Sequence, residues 1–324
     1  MLALRALGLG DLLAGVPALR GLRGGFPEHR LVLATSPYLE PLVRQISEVD
    51  AMLKTPPLER LWVQMDSDDV AVNLHGRGPQ STQVLLQTEP SRLIGFAHPE
   101  LPTTFGMPEW KRGEPERDRW CRLLTESGID ASPDDFRLEP PADIPIRDVT
   151  VIHPGAGARA RHWPPDRWAV VARALGDLGH DVRLTGSIDE RPLAMAIARQ
   201  AGLDDDAVYA GDTDVAQLAS IVAGARCLIS SDTGPAHLGT AYGTPSVVLF
   251  GPTSPAEWGP PENPRHQVIW KGRRGAPNAD APEPGLLEIT VDEVLAAVDR
   301  LPPFFGSQPS ENEGRQPKKS GSDG

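Results

Sequence analysis

The sequence predicts an α/β protein built from two Rossmann-like parallel-sheet domains that face a cleft. Two observations carry this. Short apolar runs alternate with amphipathic stretches of helical length along most of the 324 residues, and the proline-rich polar stretch 139–148 divides that alternation in two. The chain is long enough for each domain to bury a core of its own.

In the first half, residues 2–7, 31–34 and 70–74 read as strands. Between the first two, Leu12, Leu13, Val16, Leu19 and Leu22 form a helical stripe, with Asp11 placed as N-cap and Pro17 expected to kink the helix or mark an irregular start. The pattern is less regular after Pro99. Residues 1–140 are expected to form one domain, 141–148 a linker and 149–301 a second domain. There, residues 149–152, 182–185, 207–209, 227–230, 246–250 and 267–270 read as strands. The helices between them carry stripes such as Trp168, Val171, Ala172 and Leu175, or Val215, Leu218, Ala219 and Val222. Strands and helices of these lengths imply right-handed crossovers and a sheet covered on both faces. A last helix over 291–301 precedes residues 302–324, which lack periodicity, are rich in Ser, Gly, Pro and charge, and are expected to be disordered.

Composition narrows the function. Lys and Arg total 32 against 44 Asp and Glu, and the acidic excess is shared by both halves, so no nucleic-acid partner and at most peripheral membrane contact are expected. Cys121 and Cys227 stand alone without CxxC spacing, which argues against a zinc site or a disulfide framework. The apolar N-terminus is interrupted by Arg5, Asp11, Arg20 and Arg23 and reads as strand, turn and helix rather than a signal sequence; a cytoplasmic location is expected.

The most informative segment is 228–255, LISSDTGPAHLGTAYGTPSVVLFGPTSP: strand, turn, short helix, strand, turn. A helix beginning at Thr233-Gly234-Pro235 aims free N–H groups and a positive dipole end above the strand ends, which suits a phosphate; Pro235 is placed at the first helical position. Two further pieces precede it: Gly8-Leu9-Gly10-Asp11 opening a helix, and His153-Pro154-Gly155-Ala156-Gly157 followed by Arg161-His162-Trp163-Pro164. Taken in order, the three motifs resemble glycosyltransferase family 9, the heptosyltransferases and their relatives, over most of the chain. The resemblance implies the GT-B architecture and an inverting transfer from a nucleoside-diphosphate sugar, an ADP-sugar favoured, to a glycan or glycolipid acceptor. No cofactor and no metal are expected.

Each motif has a plainer reading. Asp11 caps a helix equally well, but the family resemblance assigns the aspartate of its Gly-Asp motif as general base, with Gly10 letting the backbone approach a ligand. A dinucleotide fingerprint is absent, because its third glycine would fall at Leu13. Gly155, Ala156 and Gly157 form a tight turn that also offers amides to a phosphate. Arg161 stands where the family usually has lysine and would neutralise a departing diphosphate, with Arg159 as a neighbour that could share the role. Glu190 follows a strand at the same edge, beside Asp189 as a possible helix cap; the resemblance gives Glu190 to the ribose. Asp232, Thr233, Gly234 and His237 would meet the donor. His75 and Arg77, in Asn73-Leu74-His75-Gly76-Arg77-Gly78, would face the acceptor or simply form a surface loop. Residues 204–206 and 212–214 mimic an acidic metal clamp and are read as turn and cap carboxylates. An epimerase of the same fold and a non-catalytic nucleotide-binding protein are the alternatives.

Overall fold

A computed structural model describes residues 1–66 and 68–302; apart from Pro302, the expected tail lies outside these. The first half runs β1 (Leu2–Leu4), α1 (Leu9–Gly25), β2 (Val32–Thr35), α2 (Glu40–Val43), β3 (Ala51–Lys54), β4 (Val70–Asn73), α3 (Gln80–Leu86), β5 (Arg92–Ile94) and α4 (Glu116–Glu126). The second half runs β6 (Thr150–His153), α5 (Pro165–Asp177), β7 (Val182–Leu184), α6 (Arg191–Ala201), α7 (Val215–Gly224), β8 (Cys227–Ser231), α8 (Gly234–Tyr242), β9 (Ser246–Leu249), α9 (Pro255–Trp258), β10 (His266–Ile269), α10 (Pro284–Leu287) and α11 (Val291–Asp299). The fold is the expected one, two five-stranded sheets of orders β3-β2-β1-β4-β5 and β10-β9-β8-β6-β7. Every strand pair is parallel, as crossover helices require.

Strand order locates the site. The first sheet reverses direction between β1 and β4, the second between β6 and β8. Ligands of open α/β sheets bind beyond the carboxyl ends of the strands at such switch points. The loops and helix starts that follow these four strands hold Gly10 and Asp11, His75 and Arg77, Gly155 to Arg161, and Asp232 to His237.

Four expectations need correction. Residues 207–209 form no strand: a 3-10 turn over Asp205–Ala207 leaves a single parallel bridge, Leu184 to Val208, before Gly211 turns the chain at φ 83°. The stretch before β6 buries more than its polarity suggests, since Ile146 packs on the core and a side-chain carbon on Gly224 would lie 2.4 Å from Ile144. Nor are the cores separate. Leu9, Leu12, Leu13 and Val16 of α1 share one buried cluster with Val215, Val222, Leu238 and Ala241, while a second cluster fills the far side of the second sheet. Pro17 lies inside an unbroken α1 and is buried.

Candidate active site

The first sheet presents Asp11. Gly8, extended at φ −82° and ψ 178°, is the N-cap of α1, so Asp11 falls in the third helical position rather than at the cap. Its Oδ2 accepts from the Gly8 N–H at 3.2 Å, satisfying one of the helix's free donors. Beneath it the fully buried Arg5 donates to the carbonyls of Asp11 and Leu74, reaches Glu116 at 3.2 Å and stands 3.8 Å from Asp11 Oδ1. Glu116 in turn accepts from Trp120 Nε1 at 2.8 Å and from Arg119. This buried chain of charge-assisted bonds fixes the first turn of α1. His75 is tied down nearby, its Nδ1 accepting from the Ala6 N–H at 3.2 Å, and burial lowers its pKa. Arg77 is exposed.

The second sheet presents three loops. After β6, His162 donates from Nε2 to the Ala156 carbonyl at 2.8 Å, stitching the 153–157 turn to the 3-10 turn Arg159–Arg161. Trp163 is core, donating to the Ile289 carbonyl at 3.1 Å. Arg161 donates from Nη1 to the Asp232 carbonyl at 3.0 Å, whereas Arg159 is exposed. After β7, Glu190 is the N-cap of α6 and not a first-turn residue behind an Asp189 cap. Its carboxylate turns back to accept from Ser187 N at 2.7 Å and lies 3.9 Å from His153 Nε2, while His153 Nδ1 meets Thr185 Oγ1 at 3.0 Å. Gly155 makes room for that carboxylate, because a side-chain carbon there would sit 2.1 Å from it.

After β8, Thr233 caps α8 and Gly234 opens it, so Pro235 takes the second helical position rather than the first. Asp232 is buried, and desolvation pushes its carboxyl up to about 6 against the pull of Arg161. His237 stands edge-on to Trp258, 5.9 Å between centroids. Burial drives its pKa down to about 4, helped by Arg117, so its imidazole is neutral near pH 7.

The amino ends of α1 and α8 meet. Leu9 closes over Gly234 and His237 over Gly10, so two positive helix termini share one opening. That opening is a cleft of about 860 Å³. Of the residues singled out from sequence it is lined by Gly10, Asp11, Gly157, Arg161, Glu190, Asp232, Thr233, Gly234 and His237. Gly155, Ala156, His75 and Arg77 do not line it; Gly155 acts beneath Glu190, and Ala156 is buried. Sequence reasoning missed Tyr38, Glu257, Trp258 and Asn278 on its wall. They follow β2, β9 and β10, Glu257 and Trp258 in α9 itself, just beyond or away from the segments whose motifs mark the site in the sequence. Asp214 also reaches the wall but is a cap, accepting from Gln217 N at 2.8 Å, and Asp212 is paired with Arg191 at 2.6 Å.

The profile of Glycosyltransferase family 9 (heptosyltransferase) matches residues 126–285, which leaves Asp11 outside the match. Lipopolysaccharide heptosyltransferase 1 of Pseudomonas aeruginosa is 41% identical over 96 residues, 29% of this chain and 26% of that protein. The matched stretches span less than half the length of the first curated relatives. E. coli ADP-heptose lps heptosyltransferase II shares the fold at TM-score 0.74 and 20% identity, over 92% of this chain and 97% of its own. E. coli heptosyltransferase WaaC, solved with ADP, does so at 0.69 and 17%, over 92% and 98%. The two sheets, the switch-point loops and these matches together make the chain heptosyltransferase-like: it has the GT-B fold of those enzymes and is similar to glycosyltransferase family 9 over residues 126–285.

Proposed function

We propose that the chain is an inverting, metal-independent glycosyltransferase of the heptosyltransferase type. It moves a sugar, heptose favoured, from an ADP-sugar to a hydroxyl of a lipopolysaccharide glycan. The observation that carries this reading is the shared cleft: a carboxylate from the first sheet, Asp11, and a cationic helix-end cradle from the second, Arg161 with Thr233 and Gly234, line one opening. The adenine nucleotide and the acceptor class rest on the relatives named above.

In this reading Glu190 accepts the ribose hydroxyls and the α8 amides hold the diphosphate. Asp11 takes the proton of the acceptor hydroxyl as its oxygen attacks the anomeric carbon. The bond from that carbon to the diphosphate oxygen breaks in the same displacement, which inverts the centre and needs no covalent intermediate. Arg161 and the amides stabilise the charge left on the diphosphate, and neutral His237 donates an N–H rather than a charge. Fixed cations and helix-end donors do what a divalent ion would otherwise do, hence the metal independence. Among the described residues no helix is long and apolar enough to cross a membrane.

The test is calorimetric titration of ADP in the presence of a chelator, paired with transfer from ADP-heptose to heptose-free lipopolysaccharide. Binding and transfer that both survive chelation are expected. Loss of either on chelation contradicts the metal-free mechanism, and binding without transfer favours the non-catalytic alternative.

A further inference from the structure

Tyr38 stands beside Asp11 and has no role in the steps above. It follows β2 in a short 3-10 turn, Pro37–Leu39, that is locked to the loop after β1. Thr35 Oγ1 donates to the Arg5 carbonyl at 2.8 Å, and Ser36 Oγ to the Leu7 carbonyl at 2.9 Å. With Pro37 restricting the backbone as well, the turn that carries the ring is anchored at the cleft wall.

The two ends of this side chain have different surroundings. Its hydroxyl is tucked toward the start of α1, facing the Leu9 backbone N–H and near enough to Asp11 to feel its charge; burial foremost raises its pKa. A side-chain carbon on Gly8 would lie 3.9 Å from that hydroxyl and 3.4 Å from Asp11 Oδ2, so phenol and carboxylate flank the same small space. The residue as a whole is nevertheless 56% exposed. A large aromatic face left open to a cleft, pinned at its polar end, is suited to cover the apolar C–H face of a sugar. Tyr38 also lies on the Asp11 side, whereas the donor cradle is built from the second sheet.

We infer that Tyr38 is an acceptor-binding residue: its exposed ring is the platform on which the acceptor sugar stacks, presenting the attacking hydroxyl to Asp11. This inference rests on the transferase reading. Because the ring is a surface group held by backbone bonds its neighbours make, Tyr38→Ala and Tyr38→Phe are expected to fold normally.

The experiment titrates the deacylated glycan of heptose-free lipopolysaccharide into ADP-loaded wild type, Tyr38→Ala and Tyr38→Phe, with ADP affinity measured on each. Removing the ring is expected to weaken glycan binding about tenfold, the scale of a well-placed aromatic contact, while Tyr38→Phe stays within about twofold of wild type. ADP affinity is expected to be the same in all three. Unchanged glycan binding by Tyr38→Ala, or a matching loss of ADP affinity, overturns this inference alone. A wild-type protein that binds no glycan overturns both the inference and the acceptor reading beneath it.

Discussion

Gly10 and His237 touch across the floor of the cleft. A side-chain carbon on Gly10 would lie 2.6 Å from His237 Cδ2 and 3.0 Å from Nε2. The contact joins the first turn of α1, which carries Asp11, to the first turns of α8, which carries the proposed donor cradle. Gly10→Ala is therefore expected to lower stability by about 1–3 kcal/mol, the cost of forcing an extra methyl into a packed site. It should also impair transfer beyond any loss of folded protein. Thermal melts and assays at a temperature where the variant is fully folded separate the two.

Glu190 and Gly155 form a second such pair. Gly155→Ala pushes the Glu190 carboxylate out of its place against His153 and Ser187 without altering its charge. If that carboxylate holds the ribose, Gly155→Ala and Glu190→Ala weaken ADP binding alike, each by about 1.5–3 kcal/mol. Free phosphate or ribose-free diphosphate should bind both variants as well as wild type. Calorimetry with the two ligands reads the difference.

Arg161 is the cation beside the α8 terminus. Arg161→Ala is expected to weaken donor binding or turnover by about 1.5–3 kcal/mol, the range for a hydrogen bond to a charged group. Arg159 is exposed and away from the cleft, so Arg159→Ala serves as the matched control and should leave both quantities unchanged.

Asp232 sets a pH dependence. Its carboxyl is raised from 3.8 to about 6 in the folded chain, so folding favours its protonated form. Its ionisation costs stability progressively as pH rises from the unfolded value through the folded one, and that cost is complete above about 6. The same ionisation places a negative charge beside the proposed diphosphate cradle. Affinity for an ADP-sugar, whose diphosphate has no titrating group in this window, should fall as pH rises through about 6. Asp232→Asn should flatten that step, which titrations between pH 5 and 7.5 would show.

Much of this was legible in the sequence, because apolar alternation and glycine turns are local signals. Most of the central strands differ from expectation by one or two residues at an end. The edge strands β3 and β5 escaped notice: Ala51–Lys54 is only half-buried, and Arg92–Ile94 is three residues with an exposed arginine. Asp11 was placed at the cap because the apolar stripe begins at Leu12, yet the extended Gly8 starts the helix earlier. Tyr38 and Trp258 could not be read as site residues, since only strand order brings the loops after β2 and β9 to the same opening. Likewise, the separation of His75 and Arg77 from the cleft depends on the course of the loop after β4, which no residue pattern reports.

Asp11→Asn tests the central claim most directly. Asparagine can still accept from the Gly8 N–H, so the first turn of α1 and the melting temperature should hardly change. ADP affinity should also persist, because the proposed donor cradle belongs to the second sheet. A general base has no substitute in an amide, and transfer should fall by roughly two to four orders of magnitude. A folded, ADP-binding variant that transfers at nearly the wild-type rate would contradict the account.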